Sequence, residues 1–236
     1  MQLASTGSVP EGRPAGRPVS RQVLADHVYE ELLASLMDGR LEPGAAVSID
    51  GTARELDVSP TPVREALARL EHTGMVRRVA LKGYRVAPVF TQEDFAELME
   101  ARLAIEPVNA RLACARLTPN HLKELEQAVV DLKDAPRGPS FAEFRGYLEA
   151  DERFHRLIAE QTGNQFMVAA YAALGGQIQR FRLFGGVGIT DADHAIAEHQ
   201  AVLDALASGD PQKAEAAMAE HVRKVRGRAI ADAPAD

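Results

Sequence analysis

Asp151 and His155 stand four residues apart in a helical run over about 140–162. On a helix that spacing puts both side chains on one face, where a carboxylate and an imidazole can chelate one ion. His199 and His221 flank Gly209-Asp210-Pro211, and the midpoint between them is residue 210, inside that turn. Two antiparallel helices folded there set the two imidazoles level with each other. A rise of about 1.5 Å per residue puts His155 at a similar height, within roughly one helical turn. Four ligands from three helices then converge in a bundle interior. Three neutral imidazoles and a carboxylate suit Zn(II), Ni(II) or a similar divalent ion. The plainer alternative is an exposed Asp–His pair with two unrelated histidines; the level placement of His199 and His221 argues against it.

A second chemistry lies upstream, in Val58-Ser59-Pro60-Thr61-Pro62-Val63-Arg64-Glu65-Ala66-Leu67-Ala68-Arg69-Leu70. Ser59 suits an N-cap, and Pro60 or Pro62 suits a first turn whose N–H groups lack intrahelical partners. Val63, Leu67 and Leu70 recur as a buried stripe, with Arg64 and Arg69 off it. An exposed helix start carrying arginine is what enters a DNA major groove.

The surrounding elements fit that role. Val23 to Met37 carries Val28, Leu32, Leu33 and Leu36 at helical spacing and stops at Gly39. Leu41-Glu42-Pro43-Gly44 is a turn, and Asp50 to Leu56 reads as a second helix with Asp50 as its N-cap. Met75–Val79 and Tyr84–Ala87 flank Ala80-Leu81-Lys82-Gly83 as a β-hairpin. Three helices and a two-stranded wing make a winged helix-turn-helix.

Charge supports DNA contact only locally. The 236-residue chain is net −7. Residues 59–88 nevertheless hold six bases (Arg64, Arg69, Arg77, Arg78, Lys82, Arg85) against Glu65 and Glu71, a balance of +4. Residues 22–58 hold eight acids and two bases, a balance of −6. One basic face on an acidic body suits site-specific binding rather than non-specific coating of DNA.

From Thr91 the chain reads as helices at about 91–117, 118–134, 140–162, 164–184, 190–207 and 211–231. Short breaks between them, including Gly185-Gly186-Val187-Gly188, predict antiparallel consecutive neighbours. The fold class is therefore mainly α: an N-terminal winged helix-turn-helix plus a C-terminal all-α antiparallel bundle of six or seven helices. Residues 1–19, rich in Gly, Pro, Ser and Arg, read as a disordered tail. Residues 20–88 form the first domain and 89–236 the second. The single cysteine, Cys114, sits in an apolar helical run, where packing is its expected role. Its isolation and the lack of any apolar run approaching ~20 residues point to a cytoplasmic chain with no membrane partner. His27, His72, His121 and His194 are expected at the surface.

Residues 20–88 resemble the DNA-binding domain of the GntR family of bacterial transcription regulators. The resemblance rests on the Leu41-Glu42-Pro43-Gly44 turn, the Val58–Glu71 helix and the Gly74-Met75-Val76…Lys82-Gly83-Tyr84-Arg85-Val86 wing. It implies that Ser59, Thr61, Arg64, Arg69, Lys82 and Gly83 contact double-stranded DNA. The chain departs from the family pattern at Pro60, where most members have Arg, and at Asp57, where they have Gly. The lost arginine implies an operator that differs from the usual one. Residues 91–230 are similar to the FCD ligand-binding domain of the FadR subfamily. The matching motifs are Glu100-x-Arg102…Glu106, Asp151-x-x-Phe154-His155 with Gly163-Asn164, Glu198-His199-Gln200-Ala201-x-Leu203, and Met218-x-x-His221.

In metal-binding members those Asp and His positions hold a divalent ion beside a small-molecule pocket, and members that bind fatty acyl-CoA lack them. The resemblance further implies a carboxylate effector gripped by Arg102, with Asn164 nearby, a homodimer, and a roughly palindromic operator. For Arg102 the plain alternative is an i,i+4 salt bridge to Glu106. For the whole chain the alternative is a helical-bundle metalloenzyme tethered to a DNA-binding domain.

Overall fold

The computed structural model describes residues 21–138, 140–184 and 191–231. The expected tail and the Gly185–Gly188 break lie outside them.

The first helix, α1 (Arg21–Met37), buries Val28, Leu32, Leu33 and Leu36 and closes at Gly39, whose φ of 69° is the left-handed value that glycine accepts. It is followed by β1 (Ala46–Val47), α2 (Ile49–Glu55) and α3 (Pro60–His72). The N-cap of α2 is Ser48, not Asp50: its hydroxyl accepts from the Gly51 amide at 3.0 Å, and Asp50 lies inside the first turn. Between α2 and α3, Asp57 takes a φ of 51°. That conformation explains the glycine of the family pattern, and aspartate is among the few residues that tolerate it.

In α3 the stripe of Val63, Ala66, Leu67 and Leu70 is fully buried against α1 and the sheet. Strands β2 (Val76–Val79) and β3 (Gly83–Val86) form the expected hairpin, with Arg77 opposite Arg85 and Val79 opposite Gly83. The wing is three-stranded rather than two-stranded, in the order β1-β3-β2. Ala46 and Val47 pair with Arg85 and Tyr84, a strand too short to show any alternation.

Six helices complete the described residues: α4 (Gln92–Cys114), α5 (Pro119–Asp134), α6 (Phe141–Gln161), α7 (Gln165–Phe184), α8 (Ala192–Ala207) and α9 (Pro211–Ala231). Thr91 opens α4 with a capping box to Asp94, and Ser140 opens α6 with one to Glu143. Consecutive helices pack as neighbours at α5–α6, α6–α7 and α8–α9. The expected pairing with the next helix fails at α4, whose main partner is α9 and which also packs on α6, α7 and α8. A helix that buries Arg102, Glu106 and Asn109 beside its apolar residues needs cover on several sides, and the centre of the bundle supplies it. No helix among the described residues is long and apolar enough to cross a membrane.

Candidate functional site

The site assembles from α4, α6, α8 and α9. Asp151 and His155 project from one face of α6 and are both buried. His199 on α8 and His221 on α9 are 0% and 1% exposed, unusual for imidazoles outside a functional or paired setting. One ring nitrogen from each of the three histidines lies within 4.8 Å of the others. His199 Nε2 is 3.2 Å from His155 Nε2 and 3.4 Å from Asp151 Oδ1. The sequence-derived quartet is thus brought together from three helices.

The outward nitrogens explain the orientation of the rings. His199 Nδ1 donates to the Ala195 carbonyl at 2.6 Å, and His221 Nδ1 donates to Glu198 Oε2 at 3.0 Å. His155 Nδ1 stands 2.8 Å from Glu106 Oε2. With Nδ1 of His199 and His221 donating outward, their Nε2 atoms carry the free lone pairs, the pattern in which outer acceptors fix ligand tautomers. His221 Nε2 is buried without a hydrogen-bond partner. Burial, with the His199 and His155 rings and Arg102 adding to it, pushes His221 well below its ordinary 6.5. The ring is therefore neutral, as a metal ligand must be.

These donors fit a divalent cation. Ligands at about 2.1 Å from one ion stand roughly 3.0–3.4 Å apart in octahedral or tetrahedral sets, close to the 3.2 and 3.4 Å found here. Two inward lone pairs at such a distance repel each other unless a cation or proton lies between them.

Behind the ligands is a buried ionic layer. Arg102 is 1% exposed, and its Nε and Nη2 donate to Glu106 at 2.6 and 3.3 Å, so the i,i+4 alternative describes its contact. Burial alone would raise the Glu106 carboxyl; the Arg102 guanidinium and His155 outweigh it and hold the group well below the usual carboxylate range. On the far side Arg228 grips Glu198 with a two-pronged fork, at 2.6 and 3.1 Å, and reaches Asp191 through Nε at 2.7 Å. The functional parts of Glu106, Glu198 and Arg228 were not readable from spacing. Glu198 adjoins His199 in sequence, but Arg228 carries no local signal.

Two expected site residues lie elsewhere. Asn164 is exposed and caps α7, its Oδ1 accepting from the Phe166 amide at 3.0 Å, so it does not join Arg102 at the site. Arg69 turns toward α1, pairing with Asp26 at 2.6 Å and covering the Tyr29 ring at 4.1 Å. It stands about 140° around α3 from Arg64. Ser59, Thr61 and Arg64 are exposed at the start of α3, and Lys82 and Gly83 at the wing. Ser59 holds the N-cap position with no side-chain capping bond. Arg85, counted with the basic face, donates to the Gly44 carbonyl at 2.9 Å and braces the sheet. Cys114 is buried and its thiol contacts the Leu206 carbonyl, the packing role expected of it.

A winged helix-turn-helix with an exposed basic helix start, joined to a bundle with a buried His cluster, defines a two-domain DNA-binding sensor. Comparison with known proteins agrees. Residues 24–86 match the bacterial regulatory proteins of the gntR family, and residues 97–224 match the FCD domain. The chain belongs to the GntR family of transcription regulators, with a C-terminal FCD domain.

The chain is 30% identical over 204 residues to a probable D-xylose utilization operon transcriptional repressor of Paenarthrobacter nicotinovorans, covering 86% of this chain and 88% of that one. It is 28% identical to the transcriptional repressor NanR of Cronobacter sakazakii, over 91% and 88% of the two chains. Its fold is similar to that of E. coli McbR/YncC, with a TM-score of 0.69 and 22% identity, over 88% of this chain and 97% of that one. The family and these relatives are regulators, which sets the metalloenzyme alternative aside.

Proposed function

We propose that the bundle senses a small carboxylic acid beside a divalent ion, and that its occupancy sets how tightly the winged domains hold a DNA operator. The observation that carries the reading is the convergence of three buried imidazoles and Asp151, with outer acceptors on Nδ1 of His199 and His221. Asp151, His155, His199 and His221 would hold the ion, zinc or nickel by ligand type. When bound, it offers Lewis-acidic positions to the effector's oxygens. The residues around it do the rest: the Ala195 carbonyl and Glu198 hold the imidazole protons of His199 and His221 at Nδ1, and the close-packed helices exclude water.

On the DNA side, Thr61 and Arg64 reach the major groove, the Ser59 hydroxyl and the Thr61 amide take phosphate, and Lys82 with the Gly83 backbone takes the minor groove. Arg69 has no part in this, being held on α1. A homodimer would meet a roughly palindromic site. The relatives' names favour repression, with release when the effector binds.

Metal analysis of the purified protein tests the bundle. Asp151→Ala and His199→Ala should each lose most of the bound metal. Full metal content in both variants overturns the site. Arg64→Ala should abolish the operator shift in a mobility assay, and unchanged affinity overturns the recognition-helix assignment.

A further inference from the structure

Leu81 sits at the tip of the wing. Val79 pairs with Gly83, and the Lys82 amide donates to the Val79 carbonyl at 3.0 Å, so Val79–Lys82 is a turn with Leu81 at its third position. Its φ is 63°, the left-handed value that glycine or asparagine ordinarily supplies there. A leucine at that point carries backbone strain. Its side chain is also 108% exposed, against 75% for Phe166, the next most exposed large apolar residue among those described. One exposed leucine is ordinary on a protein surface. One that also costs strain, where glycine would cost neither, points to a use at the tip.

The surroundings choose the partner. Residues 77–82 hold three bases, Arg77, Arg78 and Lys82, and no acid, and all three bases are exposed. The strand leading to the tip packs against α3, the helix whose start carries Arg64. A Cβ on Gly83 would meet nothing within 4 Å, so the tip is unobstructed. An apolar point inside a basic collar fits a DNA groove, with phosphates along its rims and deoxyribose carbons along its walls. An apolar pocket on another protein would have to strip water from the same cations.

We infer that Leu81 enters the minor groove as an apolar gauge of its floor and makes the operator prefer A·T pairs under the wing. In that groove G·C differs from A·T by the guanine N2 amino group. The amino group occupies the floor where the leucine methyls would lie, and leucine offers it no acceptor. This rests on the DNA-binding reading above and adds a base preference to what Lys82 and the Gly83 backbone do there.

The test uses the full chain and a duplex that it selects from random DNA, read by mobility shift, with the pairs under the wing located by footprinting. Replacing A·T with G·C at those pairs should weaken binding about fivefold or more, and inosine·C should restore it, because inosine lacks the amino group. Leu81→Gly should cut that discrimination to within about twofold. Its salt dependence should stay that of the wild type, because no charge is lost. Lys82→Ala should do the reverse, keeping the discrimination and flattening the salt slope by about one. Leu81→Gly should melt no lower than wild type, since glycine accepts the φ without strain; Leu81→Asn gives the same readouts with a side chain in place. Discrimination that survives both substitutions overturns the inference, as does a wild type that binds G·C and inosine·C duplexes alike. A flattened salt slope in Leu81→Gly would make the leucine a support for Lys82 and overturns it too. If the wild type selects no sequence at all, the DNA-binding reading fails and this inference falls with it; selection without a preference under the wing removes Leu81 alone.

Discussion

His221 is an imidazole only 1% exposed, and its burial penalises the charged form. In the folded protein its proton affinity sits below the ordinary 6.5, so the unfolded chain takes up that proton first. Metal-free protein should therefore have its full stability above pH 6.5 and lose it as the pH falls through that value. Thermal melts of chelator-treated protein between about pH 7.5 and about pH 5.5 check this; a His221→Phe variant should lack most of the dependence. The acceptors behind the rings make a second prediction. Glu198→Gln keeps the shape but weakens the hold on His221 Nδ1 and on Arg228, and should lower zinc affinity about 10–100-fold in a competition titration with a chelator.

At this scale the sequence was informative where a contact is local or symmetric about a turn, as for the Asp151/His155 and His199/His221 pairs. It was silent on Arg228 and on the His155–Glu106 contact, which join residues far apart in the chain. It misdirected at Arg69 and Asn164, whose side chains are claimed by α1 and by the start of α7.

Among the elements, α7 has the most exacting fit. Its Tyr171 ring stacks on His155, with centroids 6.4 Å apart, and its hydroxyl donates to Glu152 Oε2 at 2.8 Å. Five residues on, Gly176 presses against the backbone of Thr73, the C-cap of α3. A Cβ there would stand 2.7 Å from Thr73 Cα and O, and the next residue, Gln177, occupies the space beside Gly74. Gly176→Val should thus cost about 1–3 kcal/mol, read as a lower melting temperature. Because one helix touches both the ligand cluster and the end of α3, the same variant should blunt any effector-dependent change in operator binding. A variant with wild-type melting and wild-type response would refute this fit.

The helices of the bundle were legible to within a few residues because their apolar periodicity and Gly/Pro breaks are strong. The partner of each helix was less legible. Loop length alone pairs α4 with α5, whereas burial of the α4 polar stripe draws it to α9.

For the molecule as a whole, the two domains share one interior. A single cluster of buried side chains runs from Val28, Leu67 and Met75 of the winged domain to Leu132, Phe141, Tyr147 and Leu148 of the bundle. Polar contacts reinforce the seam: the Phe141 amide donates to Asp38 Oδ1 at 3.1 Å, and Arg145 pairs with Glu30. A shared core unfolds as one unit. Urea denaturation followed by circular dichroism and by tyrosine fluorescence should give coincident single transitions, and two separated midpoints would contradict it. The boundary near residue 88 was legible as a change in pattern, from hairpin to helices. That both sides of it contribute to one core was not, because that depends on which apolar faces meet in space.

That seam sets limits on how such a regulator can be taken apart. Proteolytic clipping or a premature stop after the wing would not leave a free-standing operator binder. It would leave a fragment whose winged core has lost Phe141, Tyr147 and Leu148 from its seam, fit for degradation rather than for binding an operator. Truncation alleles of this chain should then behave as simple losses, recessive to an intact copy, whereas dominant alleles should arise only from substitutions that leave the seam whole.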